Sequence, residues 1–156
     1  MSGRIRNIRT ATYEEGESQR SEANWRFLDL SGEHLGVRIE ELPPGGTSSY
    51  HHYHTAEEEH VLVLSGVATL HLGDEVFEIT EGDHVWFEAG EALAHQIENT
   101  TNEPFRFLVF GERRIDDVVF YPNGPVMLVK SAKGRQQYRY EKHGVEDQSP
   151  NATLDR

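Results

Sequence analysis

A chain of 156 residues is long enough for one domain with a hydrophobic core, and no Pro/Gly/Ser-rich linker divides its middle. Its 15 basic and 27 acidic residues leave a net charge of −12, which argues against nucleic acid and anionic membrane as partners, because both attract basic surfaces. With no cysteine, disulfides and thiolate metal sites are excluded, so any metal must be held by nitrogen and oxygen.

In chain order, residues 1–24 are polar, with Arg4, Arg6 and Arg9 ahead of the acidic, Ser-rich GESQRSE. They read as an N-terminal arm with room for a short strand. MSGRIRNIRT lacks the apolar core of a signal peptide, and no run approaches ~18 apolar residues, so a cytoplasmic protein is expected. From Trp25 the character changes: WRFLDL, LGVRIEEL, HVLVLSG, ATLHLGD, EVFEITEGD, HVWFEAG, HQIENT and FRFLVFGE follow one another. Turn signals such as Pro43-Pro44-Gly45-Gly46, Ser65-Gly66, Gly73-Asp74, Glu81-Gly82-Asp83 and Ala89-Gly90 separate them. Short strands at this spacing, with no long amphipathic helix between them, predict an all-β sandwich or barrel. In ATLHL, Ala68, Leu70 and Leu72 alternate with Thr69 and His71, while FRFLVF is apolar almost throughout and reads as a central strand. VVFYPNGPVMLVK adds two strands around a Pro-Asn-Gly turn. The barrel is assigned to residues 25–130 and a C-terminal extension to 131–156. The basic, Tyr-rich part of that extension, 131–143, reads as a packing arm or a strand at a dimer edge, and 144–156 as a frayed tail.

The stretch YHHYHTAEEEH, Tyr50 to His60, holds four of the nine histidines and three consecutive glutamates. In an extended strand His52 and His54 share one face, and His51 and Tyr53 share the other. Two imidazoles on one face can grip one metal ion. Glu59 then shares a face with Val61 and Val63, and Glu58 with His60, Leu62 and Leu64. Both faces are apolar, so alternation does not choose among the glutamates. His95 is a candidate third histidine, but periodicity does not bring it near His52. Tyr50 and Tyr53 flank the histidines; they are candidates for lining a pocket or moving a proton, with plain packing as the simpler role.

The chain resembles the cupins. Their first motif appears here as Gly46, TSSYH, His52-Tyr53-His54, TAEE, Glu59, HVLVLS, Gly66, with every fixed position matched. The second appears as Gly82, DHVWF, Glu88-Ala89-Gly90, EALA, His95, QIE, Asn99. Here Glu88 replaces the motif's proline, and four residues rather than two separate Gly90 from His95. The stretches ELPPGG at 41–46 and AHQIENTTNEPFRFL at 94–108 resemble single-domain "cupin 2" conserved-barrel proteins, many of which have no assigned reaction. The resemblance covers roughly residues 35–111.

It implies a double-stranded β-helix, the cupin jelly-roll barrel, with one divalent transition metal (Fe, Mn, Zn, Ni or Cu) held by His52, His54, Glu59 and His95. The spacing to Gly66 is what selects Glu59. Asn99 is expected to brace the barrel, and Gly46, Gly66, Gly82 and Gly90 to occupy turns. Glu88 is a candidate general base near the mouth, against the simpler role of a solvated turn carboxylate. Three neutral imidazoles and one carboxylate around a divalent ion carry a net charge of about +1, and an octahedral ion keeps two positions open. The expected function is a small metalloenzyme acting on a compact oxygenated small molecule: a dioxygenase first, then an isomerase/epimerase or lyase. The alternative is a non-catalytic, metal-dependent binding module for a sugar or small acid. Open sheet edges and the flanking extensions predict a homodimer.

Overall fold

The computed structural model describes residues 5–16 and 25–139, and every regular element in them is a strand. The expected frayed tail at 144–156 and part of the polar arm lie outside the described residues. β1 (Glu14–Gly16) and β2 (Trp25–Asp29) lead into β3 (Leu35–Leu42), β4 (Tyr53–His54), β5 (Glu59–Ser65) and β6 (Val67–Leu72). β7 (Glu75–Thr80), β8 (His84–Phe87), β9 (His95–Glu98) and β10 (Phe105–Glu112) follow. The chain continues through β11 (Val118–Tyr121), β12 (Val126–Ser131) and β13 (Gly134–Arg139).

Strand pairing is antiparallel throughout. One sheet runs β1-β2-β3-β10-β5-β8, a second β13-β12-β11-β4, and a third β7-β6-β9. The apolar β10 is central, as its composition predicts: it pairs with β3 on one side and β5 on the other. The core lies between the first and third sheets. Leu42, Val61, Val63, Phe105 and Phe107 meet Ala68, Leu70, Ile79 and Ile97 there. This is the all-β architecture expected from the strand pattern, in the jelly-roll form that the cupin resemblance implies.

Local chemistry makes the corners. Gly66 sits at φ +89°, and a Cβ there would lie 2.8 Å from the Pro104 carbonyl, so only glycine fits between β5 and β6. Asn99 is fully buried and braces the barrel as expected. Its Nδ2 donates to the carbonyls of Leu42 (3.0 Å) and Glu103 (2.8 Å), while Oδ1 accepts from the amide and hydroxyl of Thr101. The predicted hairpin around Pro122-Asn123-Gly124 forms between β11 and β12. A second hairpin then joins β12 to β13, so the 130/131 boundary falls at the end of a strand. β13 is exposed along its whole length. Among the described residues no helix is long and apolar enough to cross a membrane.

Candidate metal centre

Backbone pairing builds the site. His52 and His95 form an antiparallel bridge, so two residues 43 positions apart present their side chains together. Their rings lie 4.5 Å apart, and the His54 ring, next on the same face, lies 5.1 Å from that of His52. Glu59 opens β5 on its inward face, opposite Gly111 of β10 and Phe87 of β8. A Cβ on Gly111 would lie 2.3 Å from the Glu58 carbonyl, so the missing side chain lets β5 approach and places Glu59. One ligand atom each from His52, Glu59 and His95 falls within 4.8 Å of the others.

Each ring is held in its own way. His52 Nδ1 lies 2.8 Å from the Tyr50 carbonyl and 3.1 Å from Ser49 Oγ. A carbonyl only accepts, so Nδ1 carries the proton and Nε2 keeps its lone pair. His54 Nδ1 lies 2.7 Å from Asp117 Oδ2, which leaves Nε2 as its remaining nitrogen. The His95 ring stacks on Phe87 at 3.5 Å, almost parallel. His95 is 4% exposed, and neither of its nitrogens has a hydrogen-bond partner among the described residues, although Nε2 lies 3.5 Å from Glu59 Oε1. A buried imidazole nitrogen without a hydrogen bond is costly, and a cation between His95, His52 and Glu59 would take up the Nε2 lone pair. The donor set therefore fits a divalent ion with nitrogen and oxygen ligands.

The electrostatics agree. Burial, followed by repulsion from His95, lowers the His52 pKa to about 4, keeping the ring neutral near pH 7. Burial pushes the Glu59 carboxyl up, but His95, then His52 and His54, outweigh it and bring the pKa down to about 2. Neutral imidazole and ionised carboxylate are the forms that bind a metal.

His52, His54, Glu59 and His95 all line one cavity of about 890 Å³, within the size range of small-molecule sites. Its walls include Val61, Phe87, Ile97 and Phe107, and Arg38 and Arg135 add cationic groups. Glu40, 6% exposed, also lines it; burial pushes its pKa up to about 7 despite Arg38 Nη1 at 3.5 Å.

The other sequence candidates lie outside the lining of this main cavity. Neither Tyr50 nor Tyr53 lines this cavity: Tyr50 is half-exposed with its ring edge-on to Tyr121, and Tyr53 stacks on Phe120. Glu88 is exposed and, with Tyr53, lines a second hollow of about 240 Å³ that also reaches His54 and His95. The tyrosine that does line the main cavity is Tyr121, its ring 5.9 Å from that of His52. Tyr121 and Asp117 follow the last strand of the motif-bearing region, and no periodicity in the sequence points to them.

A jelly-roll barrel with histidines and a glutamate converging on an interior cavity defines a cupin-type protein with a candidate metal centre. The chain belongs to the cupin superfamily: residues 38–111 match the family described as "Cupin domain". It is similar to a cupin-superfamily sugar phosphate isomerase from Silicibacter pomeroyi, with 31% identity over 74% of this chain and 76% of that one and a TM-score of 0.71. It is also similar to a candidate sugar phosphate isomerase from Acidithiobacillus ferrooxidans, with 31% identity over 85% of this chain and 87% of that one and a TM-score of 0.77. A Cupin 2 conserved barrel domain protein from Salinispora arenicola shares the fold at 23% identity, 69% and 86% coverage and a TM-score of 0.53. No curated protein sequence matches the chain.

Proposed function

We propose that the protein is a metal-dependent isomerase acting on a small phosphorylated sugar. The observation that carries this reading is the convergence of His52, Glu59 and His95 on one cavity, with neither buried His95 nitrogen hydrogen-bonded among the described residues. Of the reaction classes that the ligand set allows, isomerisation is favoured over oxygenation by the two solved structures at 31% identity, both named for sugar phosphate isomerase activity. Arg38 and Arg135 are groups that would meet a phosphate, in a lining that also holds carboxylates such as Glu40, Glu58 and Glu112.

His52, His54, Glu59 and His95 would hold the ion. Once bound, a divalent metal polarises a carbonyl or hydroxyl oxygen and makes the adjoining C–H more acidic. In an aldose–ketose interconversion a proton leaves C2, an enediol forms, and a proton is delivered to C1. The cavity must therefore supply a group that both takes and gives a proton. Glu40, buried in the lining with a pKa of about 7, suits that task. Val61, Phe87 and Phe107 exclude water from the inner wall.

The test is to load the protein with Mn(II), Fe(II) or Zn(II) and incubate it with a panel of aldose and ketose phosphates in D₂O. Interconversion with deuterium at the carbon that receives the proton is the expected result. A sugar phosphate that raises the melting temperature but is recovered unchanged would place the protein in the binding class instead. We also expect a homodimer, supported by the outward-facing Trp86, 55% exposed; a monomer by light scattering at micromolar concentration would count against it.

A further inference from the structure

Beside the three-residue cluster lies a second group, His54, Glu57 and Asp117, whose ligand atoms also fall within 4.8 Å of one another. Its cation position is already taken. Lys130 Nζ lies 2.9 Å from Asp117 Oδ2 and pairs closely with Glu57. The group is therefore a hydrogen-bond network closed by Lys130 rather than a second metal site. Asp117 is its hub, with no exposed surface. Oδ1 accepts from the backbone amides of Thr55 (3.1 Å) and Ala56 (3.0 Å), and Oδ2 takes His54 Nδ1 and Lys130. The other partners of Asp117, two backbone N–H groups and an ammonium, only donate, so the carboxylate accepts on both oxygens and the proton on His54 sits on Nδ1.

Resting on the metal reading above, we infer that Asp117 is the positioning residue that makes His54 the fourth ligand. It fixes the ring so that the unprotonated Nε2 is the nitrogen offered to the ion, while Lys130 offsets one of the two carboxylate charges. The same carboxylate clamps the turn after His54 through Thr55 and Ala56, and Thr55 Oγ1 accepts from the Val118 amide in return. The ring and its backbone are thus set together, by a residue 63 positions away. Outer hydrogen bonds of this kind are worth roughly 10- to 100-fold in metal affinity.

Asp117→Asn tests the role because the amide has only one tolerable orientation. Turned one way, its NH₂ would face the fixed amides of Thr55 and Ala56. Turned the other, it faces Lys130, which can withdraw to Glu57, and His54 Nδ1, which can accept only by moving its own proton to Nε2. That is the nitrogen the metal needs.

The metal-free wild type, Asp117→Asn, His54→Ala and the double variant are titrated with Mn(II) and Zn(II) by calorimetry. Each single variant should weaken binding about 10- to 100-fold, and the double variant should bind no more weakly than His54→Ala, because Asp117 then has no ring to orient. In parallel, the ¹⁵N spectrum of the metal-free wild type should show His54 as the Nδ1–H tautomer, and that of Asp117→Asn as the Nε2–H tautomer. Wild-type affinity in Asp117→Asn, or losses that multiply in the double variant, overturns the role. A wild type that takes up neither ion defeats the metal reading itself. The spectrum then decides the hold of Asp117 on His54 separately, and an Nε2–H tautomer in the wild type overturns it without any variant having to fold.

Discussion

His52 and His95 stand opposite each other across an antiparallel bridge and exchange both backbone hydrogen bonds, His52 N–H to His95 C=O at 3.1 Å and the reverse at 2.8 Å. Their rings meet at 4.5 Å because of this pairing. Removing either side chain leaves the backbone bridge intact, so the fold should survive while the site loses a ligand. In protein purified without added metal or a His-tag column, the wild type is expected to carry about one divalent ion per chain. His52→Ala and His95→Ala are expected to carry little. Elemental analysis is the measurement, and equal metal in all three would remove these residues from the ligand set.

Glu40 and His52 should give the metal-free protein opposing pH dependences. Glu40 has an ordinary pKa of 4.5 and a folded value of about 7. Between those values the folded chain holds a proton that the unfolded chain has lost, so this contribution falls as pH rises and is level above about 7. His52 goes from an ordinary 6.5 to about 4 when folded. Here the unfolded chain holds the extra proton between 4 and 6.5, so stability rises with pH across that window. The two largely offset each other between pH 4.5 and 6.5. Glu40→Gln removes the falling part. Relative to wild type it should gain nothing near pH 4.5 and a benefit on the order of 3 kcal/mol at pH 8. Urea unfolding at the two pH values checks this; the same difference at both would show that Glu40 does not titrate in this way.

Gly111→Ala should damage fold and site together. Its new Cβ would come within 2.3 Å of the Glu58 carbonyl and 3.2 Å of Glu59 Cα. Both are backbone atoms, so β5 itself must shift away from β10. Overpacking of this kind costs about 1–3 kcal/mol, and Glu59 moves with the strand. A lower urea midpoint accompanied by weaker Mn(II) binding is the expected pair of results. A variant with both unchanged would show that the close approach of the strands is not required.

Much of the fold was legible because its signals are local. The succession of short alternating or apolar segments between Gly- and Pro-marked turns became the strands of the barrel, and the apolar FRFLVF became its central strand. Alternation placed His52 and His54 on one face for the same reason: in extended chain the direction of a side chain depends only on its parity. Glu59 could not be chosen by parity, since both faces of β5 are apolar. It was picked out by the family spacing to Gly66, and the structure puts it beside His95.

Tyr50, Tyr53 and Glu88 show where local reading stops. All three are close in sequence to the motif positions, yet the main cavity is lined by Tyr121, with Glu40 from β3 and Lys130 from β12, while Tyr53 and Glu88 line the second hollow beside His54 and His95. Asp117 and Lys130 gave no pattern to detect; each is an ordinary charged residue until the chain folds.

By itself the sequence determined the strand periodicity, the exclusion of thiolate chemistry, and the presentation of His52 and His54 on one face. Only the tertiary structure decided that His95 bridges to His52 and that Asp117 closes on His54. Those contacts depend on the register and packing of strands tens of residues apart, which form when the sheets bury their apolar faces against one another, and a two-residue period carries no information about which strand will be the neighbour.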